Sequence, residues 1–176
     1  MPITDLELLP IRFDPQYFAD HSTELHGLVA AKTMKRLQAN VMSLESMVTV
    51  KLQFSRGLYG YPLAIGNAHT IVSTKCERCL EQMKISLNPD IHILIKPESE
   101  KLPDDSDSVE DSPDFHEYFG NTLELSDLIE EELLLTLPLV PKHEDISLCN
   151  QDMVAWLASN KEPAEKADNP FAILKR

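Results

Sequence analysis

At 176 residues, 43% hydrophobic and 6% aromatic, the chain suits one mainly aliphatic domain, and no apolar run approaches the roughly 20 residues of a membrane span. Its net charge of −13 is unevenly held: residues 1–96 carry ten Lys/Arg against nine Asp/Glu, residues 97–176 six against twenty. That distribution argues against the broad cationic surface of an autonomous nucleic-acid binder and suits a basic protein partner.

Met1-Pro2-Ile3-Thr4-Asp5 carries no charged-then-apolar leader, so the chain is expected in the cytoplasm, with its three cysteines reduced. Residues 1–20 read as irregular to extended, punctuated by Pro2, Pro10 and Pro15. From Ser22 to about Gln38 the pattern predicts a helix. Ser22 is the N-cap, Leu25, Leu28 and Val29 follow at i, i+3, i+4, and Lys32, Lys35 and Arg36 complement the dipole at the far end. At Val48–Phe54 the period switches to two, the signature of a half-buried strand. Short strand-like runs recur at Leu58–Ile65, Thr70–Cys76, Gln82–Leu87 and Ile91–Lys96, with Gly57, Gly66-Asn67 and Asn88-Pro89-Asp90 as turns.

Pro97–Asp114 is acidic, rich in Ser and Pro, and buries too little to offset its ordering entropy, so it reads as a disordered acidic loop. Order resumes at Tyr118–Leu125. A helix follows, capped by Ser126, with Asp127 and Glu130 to Glu132 in its first turns and Leu125, Leu128, Ile129 and Leu133 on one face; Pro138 ends it. A short helix with Trp156 is expected at Asp152–Ala158, then a polar tail. The sum is an α+β fold: an antiparallel sheet or meander flanked by two main helices. One domain spans residues 1–160 with the loop at 97–114 inside it, and residues 161–176 form a flexible tail.

Cys76-Glu77-Arg78-Cys79 lies between two strand candidates and admits three readings. As half a zinc site it needs two more ligands, which His143 and Cys149 would have to supply. As a redox pair it lacks the helix N-terminus that activates a thiol. As a structural turn it packs reduced thiols as small hydrophobes, and this is the reading adopted. No cofactor is therefore expected, and Cys76, Cys79, His143 and Cys149 are the candidate ligands if zinc is held. The histidines show no metalloprotease spacing, and neither a phosphate loop nor a nucleophile elbow is present. No catalytic residue, enzymatic activity or small-molecule substrate is assigned. Lys75, Arg78 and Lys84, with Lys51 and Arg56, form a candidate basic face for phosphate contacts. The acidic loop and Glu-rich helix suit a cationic partner.

Three motifs occur in order: Cys76-Glu77-Arg78-Cys79, the acidic helix running into Leu137-Pro138-Leu139-Val140-Pro141-Lys142-His143, and Asn169-Pro170-Phe171-Ala172-Ile173-Leu174. With them, and with Asp152-Met153-Val154, the chain resembles the YceD family, bacterial proteins named for large-ribosomal-subunit RNA accumulation, from about Ser43 to the C-terminus. The resemblance implies a non-enzymatic role in synthesis, processing or stability of 23S ribosomal RNA, linked to large-subunit assembly. Precursor or mature 23S RNA would be contacted directly or indirectly. Family genes commonly neighbour that of a small basic large-subunit protein, which implies such a protein as partner. Some members carry further cysteines after the Pro-x-Leu-Pro region, which implies a complete zinc site in them; here only His143 and Cys149 follow. Two alternatives stand beside this role. One is an acidic, chaperone-like binder of a basic large-subunit ribosomal protein that affects RNA indirectly. The other is a small zinc-binding module. The possible contact residues are Cys76, Arg78, Cys79, Lys75, Lys84, Pro138, Pro141 and His143, and no membrane is involved.

Overall fold

The structure, a computed structural model, describes residues 6–99 and 114–160. The described residues divide into two compact units, a larger one drawn from residues 6–74, 83–99 and 114–139 and a smaller one from residues 75–82 and 140–160. In chain order the elements are β1 (Arg12–Phe13), α1 (Pro15–Asp20), β2 (Glu24–Ala30), α2 (Lys35–Asn40), β3 (Ser43–Leu44), β4 (Met47–Arg56), β5 (Pro62–Lys75), β6 (Gln82–Leu87), β7 (Asp90–Pro97), β8 (Asp114–Tyr118), β9 (Leu123–Glu124), α3 (Leu125–Thr136) and α4 (Gln151–Ser159). The main sheet of the larger unit runs β2-β4-β5-β7-β8, with β3 and β6 also paired to β5. Its β2–β4, β4–β5, β3–β5 and β5–β7 pairs are antiparallel, and β7–β8 is parallel. The α+β class and mainly antiparallel sheet are as the sequence predicts.

Alternation explains the central strand. Val48, Val50, Leu52 and Phe54 of β4 are buried while Lys51 and Gln53 face out. The inward set joins one core with Met34 and Leu37 from α2 and its approach, and with Leu125, Leu128, Ile129 and Leu133 of α3. The α3 face is the one the sequence predicts, and the helix ends at Thr136, immediately before Leu137-Pro138. Among the described residues no helix is long and apolar enough to cross a membrane.

Four local expectations are corrected. The helix predicted over Ser22–Gln38 is a strand over Glu24–Ala30, then a single 3-10 turn and the six-residue α2. Leu25, Gly27 and Val29 point inward, and Leu28 lies half-buried on the opposite face. The outer edge of β2 is taken by residues 7–9: Leu28 N donates to Glu7 O and Leu9 N to Leu28 O, both at 2.9 Å. Gly27 permits that approach, since a Cβ there would sit 2.5 Å from Glu7 O. Second, Gly66-Asn67 is no turn; it lies inside the 14-residue β5. Third, Ser126 is the second residue of α3, buried with an unpartnered hydroxyl, and Glu124 precedes the helix without a side-chain cap. Fourth, a short helix, α1, stands within the stretch expected to be irregular, capped by Asp14 through Gln16 N and Tyr17 N. The expected acidic loop falls mostly on residues 100–113, outside the described residues; Pro97 closes β7 and Asp114 opens β8.

Candidate metal centre

Between β5 and β6 the chain makes a tight knuckle in the smaller unit. Cys76 N donates to Glu81 O at 2.9 Å and Leu80 N to Cys76 O at 2.8 Å, closing the turn around both sulfurs. Leu80 takes φ +62° to complete it. Glu77 N donates to Pro141 O at 2.8 Å, which lays the Pro141–His143 segment against the knuckle. Downstream, Asp145 caps a 3-10 turn over Ile146–Leu148 through Ser147 N at 2.8 Å. Cys149 closes that turn, its N–H donating to Ile146 O at 3.1 Å.

Two amides then fix the entry to α4. Gln151 Nε2 donates to the carbonyls of Ile146, Ser147 and Cys149, the last at 2.8 Å. Asn150 caps α4 through Met153 N and donates to Glu81 Oε1 at 2.9 Å, tying the helix start to the knuckle. Sequence reasoning missed these positioning roles, although Asn150 at a helix start is a readable cap signal.

The result is convergence. One ligand atom each from Cys76, Cys79, His143 and Cys149 lies within 4.8 Å of the other three. His143 Nδ1 stands 3.6 Å from Cys79 Sγ and 3.5 Å from Cys149 Sγ. The three thiols are free and buried. Burial works to push the Cys76 thiol up, but backbone N–H groups of His143, Cys79 and Arg78, with the Cys79 side chain, outweigh it and bring it down to about 6. The Arg78 contribution is an N–H···S bond of 3.4 Å. Cys149 is pushed the other way, by burial first and then by the neighbouring thiols. The Arg78 guanidinium Nη1 lies 3.7 Å from Cys149 Sγ. A site of this kind can accumulate thiolate charge and give it to a soft cation.

All four candidate ligands are thus brought together, including His143 and Cys149, more than sixty residues from the knuckle. The second half-site that a zinc reading requires is in place. Arg78 faces the thiols, and Pro141 contributes its carbonyl. Lys75 is exposed at the end of β5 and Lys84 is exposed on β6. Pro138 follows the end of α3. Arg56 is committed elsewhere in the larger unit, donating to Asp20 at 2.9 Å, to Gly60 O at 2.9 Å and to Gln16.

Fold and site together define a small α+β protein carrying a three-thiol, one-imidazole cluster able to take a metal ion. The family profile described as Large ribosomal RNA subunit accumulation protein YceD matches residues 65–176. The Large ribosomal RNA subunit accumulation protein YceD of Haemophilus influenzae is 30% identical over 171 residues, covering 94% of this chain and 94% of its own length. The chain belongs to the YceD family. No solved structure matches it.

Proposed function

We propose that the chain supports the synthesis, processing or stability of 23S ribosomal RNA and the assembly of the large subunit, in the cytoplasm and without turning over a substrate. The observation that carries this reading is the extent of the likeness: a relative named for large ribosomal RNA subunit accumulation aligns with 94% of the chain. Two physical features suit the role. Four protein groups converge at the thiol cluster, which favours fastening the chain over activating water or substrate. The carboxylates of α3 crowd one another. Asp127 is raised by burial and then by Glu124 and Glu130, and Glu132 is raised by burial and then by Asp114 and Glu131.

A cationic surface brought against α3 would relieve that repulsion, so a basic large-subunit ribosomal protein suits it as the direct partner. The effect on RNA then passes through that protein. Direct phosphate contact is the second reading, supported by the exposure of Lys75 and Lys84. Depleting the chain from cells should lower large-subunit relative to small-subunit ribosomal RNA. Crosslinks from the α3 surface should recover a basic ribosomal protein, and that association should survive nuclease. An unchanged RNA ratio on depletion would remove the proposal. Crosslinks that reach only RNA, lost on Lys75→Glu with Lys84→Glu, would move it to the direct route.

A further inference from the structure

We infer that Cys76, Cys79, His143 and Cys149 form a closed tetrahedral Zn²⁺ site, and that the ion is the core of the smaller unit. This goes beyond the ribosomal role and stands or falls separately from it. The first argument is metric. Bonds of about 2.3 Å to sulfur and about 2.0–2.1 Å to nitrogen, at tetrahedral angles, set sulfur and nitrogen about 3.6 Å apart. The two separations from His143 Nδ1 are 3.6 and 3.5 Å. Ordinary hydrogen bonding explains that pair poorly, because a neutral imidazole nitrogen has one lone pair and two sulfurs approach it. A shared cation satisfies all three atoms. The mutual spacing, within 4.8 Å for all four atoms, is that of ligands around a single ion.

The second argument concerns what else holds this unit together. Among its described residues, Cys76, Cys79 and Cys149 are the only buried ones. α4 buries none of its side chains, and Leu80, Val140, Ile146, Leu148 and Trp156 are all exposed. Three thiols make no hydrophobic core, and units this small depend on disulfides, metals or partners. The cysteines are free, which removes the disulfide, and the four converging ligand atoms are what supports a metal in its place.

Chemistry selects the ion. A tetrahedral set of thiolates and imidazole is the zinc donor set, and four protein ligands leave no open position, as in structural sites. Three thiolates and a neutral imidazole around a dication leave one excess negative charge. The Arg78 guanidinium beside Cys149 Sγ is placed to offset it. In this arrangement Arg78 is a positioning residue of the metal site.

The full-length chain, purified under reducing conditions without chelator, should contain about one zinc per chain. Cobalt(II) exchanged into it should show the intense visible bands of tetrahedral thiolate coordination. Cys149→Ser and His143→Ala should lose most of the metal, while His143→Cys, which keeps four ligands, and His26→Ala, on the exposed face of β2, should retain it. Stripping the ion should accelerate amide exchange across residues 146–159 and leave Val48–Phe54 protected. A folded wild-type chain that carries no zinc and gives no tetrahedral cobalt spectrum overturns the inference. Zinc retained in full by both Cys149→Ser and His143→Ala also overturns it, since the ion would then be held elsewhere.

Discussion

Glu130 shows how little a carboxylate's place in the sequence says about its task. It belongs to a run of three glutamates, yet it is 3% exposed where Glu131 and Glu132 are partly open. Its Oε1 accepts the Leu37 N–H at 2.9 Å and its Oε2 accepts Arg36 Nε at 3.0 Å. Met34, at the start of α2, offers no side-chain cap, so Glu130 caps α2 from a helix ninety residues away. Glu130→Ala strands a buried amide and should lower unfolding stability by about 1.5–3 kcal/mol, read from urea titrations. Glu130→Gln, which keeps an acceptor for Leu37, should cost clearly less; equal losses would show that the cap is not the cause. Asp127 and Glu132 behave oppositely. Both are held above the ordinary carboxylate range by burial and neighbouring acids, so the folded chain binds their protons more readily than the unfolded chain does. Their contribution to stability is therefore present at acid pH and is lost as pH rises through the raised values. Asp127→Asn and Glu132→Gln should each stabilise at pH 7 by about 0.2–0.5 kcal/mol. The gain should shrink on acidification, as the wild-type groups take up protons and lose the repulsion. A gain that grows on acidification would reverse the sign of the argument.

At the level of elements, β4, β6 and the buried face of α3 could be read directly, because each has one face in water and a clean period; β7 was legible from its alternating isoleucines, although Ile93 to Lys96 are buried on both faces. β2 could not. Leu25, Leu28 and Val29 mimic a helical stripe, but residues 7–9 pair along the edge of β2 and hold it extended, a tertiary contact that no local window contains. Gly66 misleads for a related reason. Glycine and asparagine together signal a turn, but Gly66 pairs with Leu52 on one side and Ile91 on the other. A Cβ on it would fall 1.9 Å from Lys51 O, so the side chain is absent because β4 backbone occupies the space. Gly66→Ala must part β4 from β5 and should cost about 3 kcal/mol or more, read as a drop in thermal midpoint or failure to fold. A change of a few tenths would mean the two strands accommodate it, and the close approach would lose its meaning. The site was half legible. The knuckle announces two ligands by spacing, but His143 and Cys149 look like ordinary loop residues until Glu77 N–Pro141 O, Gln151 and Asn150 set the return path beside it.

On the scale of the whole molecule, acidity is segregated: residues 1–96 net +1 and residues 97–176 net −14. A field of one sign over half a chain acts mainly on encounter, raising association rates for cationic partners by factors of about 10–10³ at low salt and fading as salt screens it. Asp104, Asp105, Asp107, Glu110 and Asp111 supply much of that charge between β7 and β8. Replacing these five by Asn and Gln keeps the chain length and brings residues 97–176 from a net −14 to −9. If a basic ribosomal protein is the direct partner, the substitution should slow its association about tenfold or more at low salt and flatten the salt dependence. The dissociation rate should change less, because steering acts before contact is made. Stopped-flow binding across a salt series gives both rates. Identical slopes for the wild type and the substituted chain would show that this stretch does not steer the partner. The weight would then pass to α3 or to Lys75 and Lys84, and RNA retention after charge reversal at those lysines would decide between them.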